Sequence, residues 1–358
     1  MYTKDDAKMT QGFAILTMVS LHLFCRKASD FLGQPILWID HQTPLLYWIG
    51  FFSEICVPLY SICAGYGYYV SYMNHKLRWS CRLDRAFKLL KNYWIILVMF
   101  VLLGIMIRSK TIPGSLLDFI GNVTLITTKR YNGTWWYLAT YLILLIIPIS
   151  AIIFVPNKMG LRAGIILCIG IDVAEYFAFK FDILPASVNI WFPIDFLYTQ
   201  IVNLWGVIPF FWIGCIFCKH DVISIVYKRL DERGVILKWN GLIIAAAFGI
   251  IFMLTNIIHK AVLNGVVAIT VFILFNIWHK SESIKKIYLY LGKHSTNIWL
   301  SHMFFISIYW GKEMEKLRYA IVVFIAVLLL CIIVSYIEKA ISGFIDKLVL
   351  GGAIFTDN

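Results

Sequence analysis

The chain has 358 residues, of which 60% are hydrophobic and only 15% charged, and its mean hydropathy is +0.78. Soluble domains sit near half apolar and a quarter charged, so a water-soluble globular protein is excluded, and the bilayer is the natural solvent for so much apolar surface. The net charge of +12 is what basic loops beside anionic lipid produce and calls for no nucleic acid.

A spanning helix takes about 20 largely apolar residues. On that measure the sequence predicts ten transmembrane segments, near 9–25, 45–73, 93–108, 136–155, 163–179, 197–217, 240–257, 262–278, 295–310 and 319–338. The first and third are short, but their flanks carry lysines from Lys4 to Lys8 and from Lys88 to Lys91, whose stems reach the headgroups while the helix continues. With the N-terminus inside, the inner segments hold 21 of the 32 Lys and Arg residues. That bias predicts that both termini are cytoplasmic. The expected fold is an all-α integral membrane protein, a single domain over residues 1–358 built as a bundle of about ten helices. The first apolar run lacks a small-residue cleavage site and reads as a retained anchor.

Eight cysteines are scattered through the apolar segments, with only Cys215 and Cys218 in Cys-x-x-Cys spacing. Even with His220 nearby, a pair on one turn of a membrane helix reads as packing, so no metal is expected. Asn122 and Asn132 match the glycosylation acceptor pattern, which matters only in a eukaryotic secretory pathway.

Ionisable residues inside the hydrocarbon region are costly and mark function by default. In the first segment, KMTQGFAILTMVSLHLF, Lys8, Gln11, Ile15, Met18 and His22 advance by three and four and form one stripe. Gln11 and His22 lie about 16 Å apart along it. The imidazole reads either as a catalytic base or as a helix-packing hydrogen bonder. Glu54, in FFSEICVPLY, lies about 13 Å into the second segment, at a depth similar to that of His22. The sequence leaves open whether it orients His22, as acids do in catalytic triads, or pairs with another polar group such as Asn203. The basic stretch 74–92 includes Arg82 and Arg85 at i, i+3 spacing, either an anion-binding face or ordinary positive-inside charge. His302 sits midway along the ninth segment. Asp172 and Glu175 share a face of the fifth, and Trp135 and Trp136 stand where interfacial aromatics stand.

KMTQGFAILTMVSLHLF resembles the opening helix of the acyltransferase family 3 proteins, in which a basic residue, ten intervening residues and a histidine mark the active site. VPLYSICAGYGYYVSY, RLDRAFKLLKNYW with its Arg-x-x-Arg element, NGTWWYLATYLILLIIP, IPFFWIGCIFCKH and LGKHSTNIWLSHMFF extend the resemblance over most of the chain. Its flavour is that of bacterial capsule and exopolysaccharide O-acetyltransferases. The resemblance implies transfer of an acyl group, usually acetyl from cytosolic acetyl-CoA, to a hydroxyl of a surface carbohydrate or its lipid-linked precursor, in the bacterial cytoplasmic membrane. It implies His22 as base or acyl acceptor, and the similar depth of Glu54 makes that carboxylate the expected orienting acid. The donor is expected near Arg82 and Arg85, which fall on the family's Arg-x-x-Arg element, and near Lys8 and Gln11, while His302 either lines the pantetheine path or packs. The expected partners are acetyl-CoA, the glycan acceptor and membrane lipids, with the oligomeric state left open.

The chain departs from the family pattern at Gln11, where relatives carry Arg or Lys. Lys8, one turn below on the same face, is the expected substitute, with Gln11 giving a neutral hydrogen bond to the pantetheine arm or to the Lys8 ammonium. A multi-pass transporter and an inactive relative are the alternative readings.

Overall fold

The computed structural model describes residues 2–39, 41–128, 130–185, 192–232, 235–258 and 263–354. Among them the regular structure is helical, with two isolated β-bridges, Gln34 to Tyr319 and Trp38 to Pro44. Each of the ten predicted segments is occupied by helix.

Helix α1 (Lys4–Phe24) starts where Thr3 and Asp6 form a capping box, the Asp6 amide donating to Thr3 Oγ1 at 3.1 Å and the Thr3 amide to Asp6 Oδ2 at 2.8 Å. This satisfies two of the amides a helix start leaves orphaned. The helix therefore begins several residues before its apolar run. The second segment is α2 (Leu45–Phe52) and α3 (Cys56–Met73), joined by a 3₁₀ turn over Ser53–Ile55. The third is a single helix, α4 (Trp79–Met106), so most of the basic stretch 74–92 is the first turns of a helix rather than a loop. A short α5 (Leu116–Val123) follows.

The fourth segment does not run straight through 136–155 as the apolar run suggests. It is broken into α6 (Trp136–Ile146) and α7 (Ile149–Lys158), bent by 87°. Pro148 has no amide to continue the ladder and pushes Ile147 to an extended ψ of 137°. The remaining elements are α8 (Leu161–Lys180), α9 (Phe192–Lys219), α10 (Val222–Asp231), α11 (Val235–Ile258), α12 (Asn264–Ile277), α13 (Glu282–Met303), α14 (Gly311–Glu315) and α15 (Ala320–Ile354). A π-helical turn, Phe304–Ile308, closes α13.

Among the described residues, four helices are long and apolar enough to cross a membrane: Leu45–Met73, Trp79–Met106, Ile194–Lys219 and Ala320–Leu348. The bent pair α6–α7 makes a fifth if it counts as one span. On α15 the exposed side chains Ile321, Ile325, Leu329, Ile333 and Ile337 recur every fourth residue, an apolar stripe suited to lipid.

Helices α1 and α13 are parallel and very close. A Cβ added to Gly12 would collide with the Tyr288 carbonyl, and one added to Gly292 with the Lys8 carbonyl. Two backbones approach this nearly only where both lack side chains. That contact fixes the register in which the farther ends of α1 and α13 meet, and the candidate site lies there.

Candidate active site

Ten residues beyond each of these glycines, on α1 and on α13, stands a histidine. The rings of His22 and His302 lie with centroids 5.1 Å apart, tilted by 38°. His302 is fully buried, and its Nδ1 is 2.7 Å from the Trp299 carbonyl. A carbonyl only accepts, so Nδ1 carries the proton, and in the neutral ring Nε2 holds the lone pair. That Nε2 is buried and has no hydrogen-bond partner among the described residues. The partly exposed His22 ring opens on its other side to a cavity of about 510 Å³ that also involves Cys25, Arg26 and Asp30. The Arg26 guanidinium donates to the His22 carbonyl. The two histidines thus form an imidazole pair with one buried member and one accessible member.

Three tethers fix the position of His302. Trp135 Nε1 donates to the Leu300 carbonyl at 3.0 Å, Asn132 Nδ2 to the same carbonyl at 3.4 Å, and Trp299 Nε1 back to the Thr134 carbonyl at 3.3 Å. Trp135 is fully buried and stacks edge-on against Tyr93, with centroids 4.9 Å apart. The NGTWW segment therefore clamps α13 just before His302, while the π turn begins two residues after it. Trp135 is not the interfacial residue its sequence position suggests, and neither Asn122 nor Asn132 is exposed enough to accept a glycan: both are 2% exposed or less.

On the side of the pair toward the N-terminus of α1 lies a cavity of about 390 Å³. Its walls include Gln11 and Met18 of α1, Tyr60 of α3, Tyr137 and Tyr141 of α6, and Trp299 of α13, and its rim carries Arg85, Lys88 and Asn92 of α4. Met18 and Trp299 stand one turn before His22 and His302, about 6 and 4.5 Å along their helices. The cavity therefore stops just short of the imidazole pair. Apolar and aromatic walls with a cationic rim suit a ligand with a slender neutral arm and an anionic head.

The two arginines of the Arg-x-x-Arg element part company. Arg85 donates to Ser71 Oγ at 2.8 Å and lines the cavity rim. Arg82 is 4% exposed, lies over the Trp79 ring at 5.2 Å and donates to the Ile147 carbonyl at 2.5 Å. That carbonyl belongs to the break between α6 and α7, so Arg82 caps the helix end that Pro148 leaves open, and it is not among the cavity-lining residues. Lys8 Nζ donates to Gln11 Oε1 at 3.1 Å, so the two polar side chains at the base of α1 are joined.

Glu54 sits at the far end of the bundle, beside α1, and among the described residues no hydrogen bond joins its carboxylate to the His22 ring. It accepts a hydrogen bond from Asn264 Nδ2 at 2.5 Å and faces a cavity of about 690 Å³ lined also by Asp172, Glu175, Asn203 and Trp136. A second cavity of about 570 Å³ shares Trp136 and Asn203 and adds Arg130, Asp195 and Gln200. Glu54, Asp172 and Glu175, which stand apart in sequence, line one cleft. Cys215 is buried with its thiol donating to the Gly65 carbonyl at 3.3 Å, a packing role.

Compared with known families, residues 8–337 match the acyltransferase 3 model, described as an acyltransferase domain. The chain belongs to the acyltransferase 3 family. Comparisons with curated proteins and with solved structures give no match. In this acyltransferase, the family match begins at Lys8 and takes in both histidines, the Arg-x-x-Arg element and the NGTWW clamp.

Proposed function

We propose that the protein is a ten-span O-acyltransferase of the bacterial cytoplasmic membrane. In this reading it moves an acetyl group from cytosolic acetyl-CoA to a hydroxyl of a surface carbohydrate or its lipid-linked precursor. The N-terminal end of α1 and the basic start of α4 face the cytoplasm, following the positive-inside bias. The observation that carries the reading is the His22–His302 pair, with a cation-rimmed cavity ending one turn before it and a second cavity, beside Arg26 and Asp30, reaching His22 itself.

A sugar hydroxyl is a weak nucleophile and needs a base as it attacks a thioester. The donor enters from the cytoplasmic rim, its arm passes Tyr60, Tyr137 and Tyr141, and its thioester stops at the imidazoles. His22, the accessible member, takes the hydroxyl proton as the oxygen bonds to the acyl carbon. The carbon–sulfur bond breaks, and the proton returns to the departing thiolate, leaving an ester and free CoA. His302 is a positioning residue. With Nδ1–H tied to Trp299, its Nε2 lone pair is available to hold the His22 ring through a hydrogen bond.

The acceptor hydroxyl reaches His22 through the cavity beside Cys25, Arg26 and Asp30, and the cleft of Glu54 offers Trp136 and Tyr176 rings, Asn203, Asn264 and carboxylates, groups that bind the faces and hydroxyls of sugars. The test is incubation of purified protein in nanodiscs with radiolabelled acetyl-CoA and acceptor membranes. Label is expected to move to glycan with the wild type and not with His22→Ala. A wild type that neither binds acetyl-CoA nor releases CoA would overturn the reading.

A further inference from the structure

The cavity below the histidines does not end at Arg85 and Lys88. Asn92 and Thr296 belong both to its wall and to a second, strongly polar crevice of about 420 Å³ at the same end of the bundle. Lys8, Lys293 and Lys339, from α1, α13 and α15, line that crevice. Its two acids are already engaged. Asp346 holds Lys91 Nζ through both oxygens at 2.8 Å, and Glu338, 1% exposed, accepts from Asn297 Nδ2 at 2.6 Å. Lys339 is oriented by the Lys293 carbonyl at 3.3 Å and His294 Nδ1 at 3.4 Å, and Lys8 by Gln11. Among the described residues, none of the three lysines has a salt-bridge partner. Three lysines from three helices line a space that continues into the cavity.

We infer that this crevice is an anion site that takes the phosphate groups of a phosphorylated nucleotide whose arm lies in the adjoining cavity, with Lys293 and Lys339 as its principal ligands. The inference rests on the donor reading above, and it puts the phosphates on α13 and α15 rather than on both arginines of α4. The lengths agree. Lys293 and His302 are nine residues apart on one helix, about 13 Å. A pantetheine arm has as many backbone bonds as four amino-acid residues, so extended it spans about 14 Å. A head group held at Lys293 therefore delivers a thioester to the histidine pair. Arg82, turned away to Ile147, takes no part, and Arg85 and Lys88 at the rim add charge attraction where the arm joins the phosphates.

The experiment is calorimetric titration of the full chain in nanodiscs with CoA and, separately, with pantetheine, which keeps the arm and lacks every phosphate. Lys293→Gln with Lys339→Gln is expected to weaken CoA binding about tenfold or more, the loss of charge-assisted contacts. Pantetheine binding is expected to stay at the wild-type value, and Lys293→Arg with Lys339→Arg is expected to keep CoA affinity within about threefold, since guanidinium binds phosphate as well. Wild-type CoA affinity in the Gln pair overturns the inference while leaving the donor reading intact. Equal losses for CoA and pantetheine also overturn it, because they signal a distorted cavity. A wild type that ignores CoA altogether overturns the donor reading as well.

Discussion

His22 and His302, brought together by the parallel packing of α1 and α13, face each other with ring centroids 5.1 Å apart, and only one of the two is open to a cavity. This division assigns different outcomes to the two substitutions. His22→Ala removes the base and is expected to lower transfer by a hundredfold or more with CoA binding unchanged. His302→Ala is expected to lower turnover by about tenfold to a hundredfold, and His302→Gln, which keeps a hydrogen-bonding side chain, is expected to recover part of it. Single-turnover transfer of radiolabel checks both. Full activity in His302→Ala would dissolve the pair as a functional unit.

The arginines of α4 are expected to fail in different ways. Arg82→Ala removes the buried guanidinium and its hydrogen bond to the partly buried Ile147 carbonyl, which costs about 1 kcal/mol and should appear as a lower melting temperature in detergent. Arg85→Ala is expected to leave melting nearly unchanged and to weaken CoA binding, with the wild-type advantage fading at high salt. Identical behaviour of the two variants would contradict their different partners.

The NGTWW clamp gives a third outcome. Trp135→Phe keeps an aromatic ring and loses the Nε1–H bond to Leu300, so it is expected to cost about 1 kcal/mol of stability and to reduce turnover while leaving CoA affinity alone. A KM-against-kcat comparison separates this from a donor-site effect. A fall in affinity with unchanged kcat would place Trp135 on the donor instead.

The Lys8–Gln11 contact of 3.1 Å predicts that Lys8→Ala raises the acetyl-CoA requirement more than Gln11→Ala does. Gln11→Arg, which restores the cation found in relatives, is expected to be tolerated and to rescue part of the Lys8→Ala loss. Titration of initial rate against acetyl-CoA checks the order. If Gln11→Ala is the more damaging variant, Lys8 is not the substitute cation.

Cys81, exposed at the start of α4, is a built-in reporter of topology. An impermeant maleimide is expected to leave it unlabelled in intact cells and to label it after permeabilisation, because the basic start of α4 is read as cytoplasmic. Labelling of Cys81 in intact cells would invert the bundle.

What the sequence determined by itself was the solvent of the protein, the places of its helices and the polar stripe on which the proposed chemistry rests. Run length, the cost of ionisable groups in lipid and the stripe from Lys8 to His22 are local quantities, and they can be read without knowing neighbours. Even the break at Pro148 was present in the letters, hidden within an apolar run long enough to be taken for one straight span. Only the tertiary structure decided which helices pair, because lipid-facing and protein-facing apolar surfaces have the same composition and the pairing is set by small residues such as Gly12 and Gly292 meeting at close range. From that pairing follow the partner of His22, the engagement of Glu54 by Asn264, and the diverging paths of Arg82 and Arg85. The gathering of Lys8, Lys293 and Lys339 follows as well, since residues this far apart in the chain become one site only through the packing of α1 against α13 and of α13 against α15.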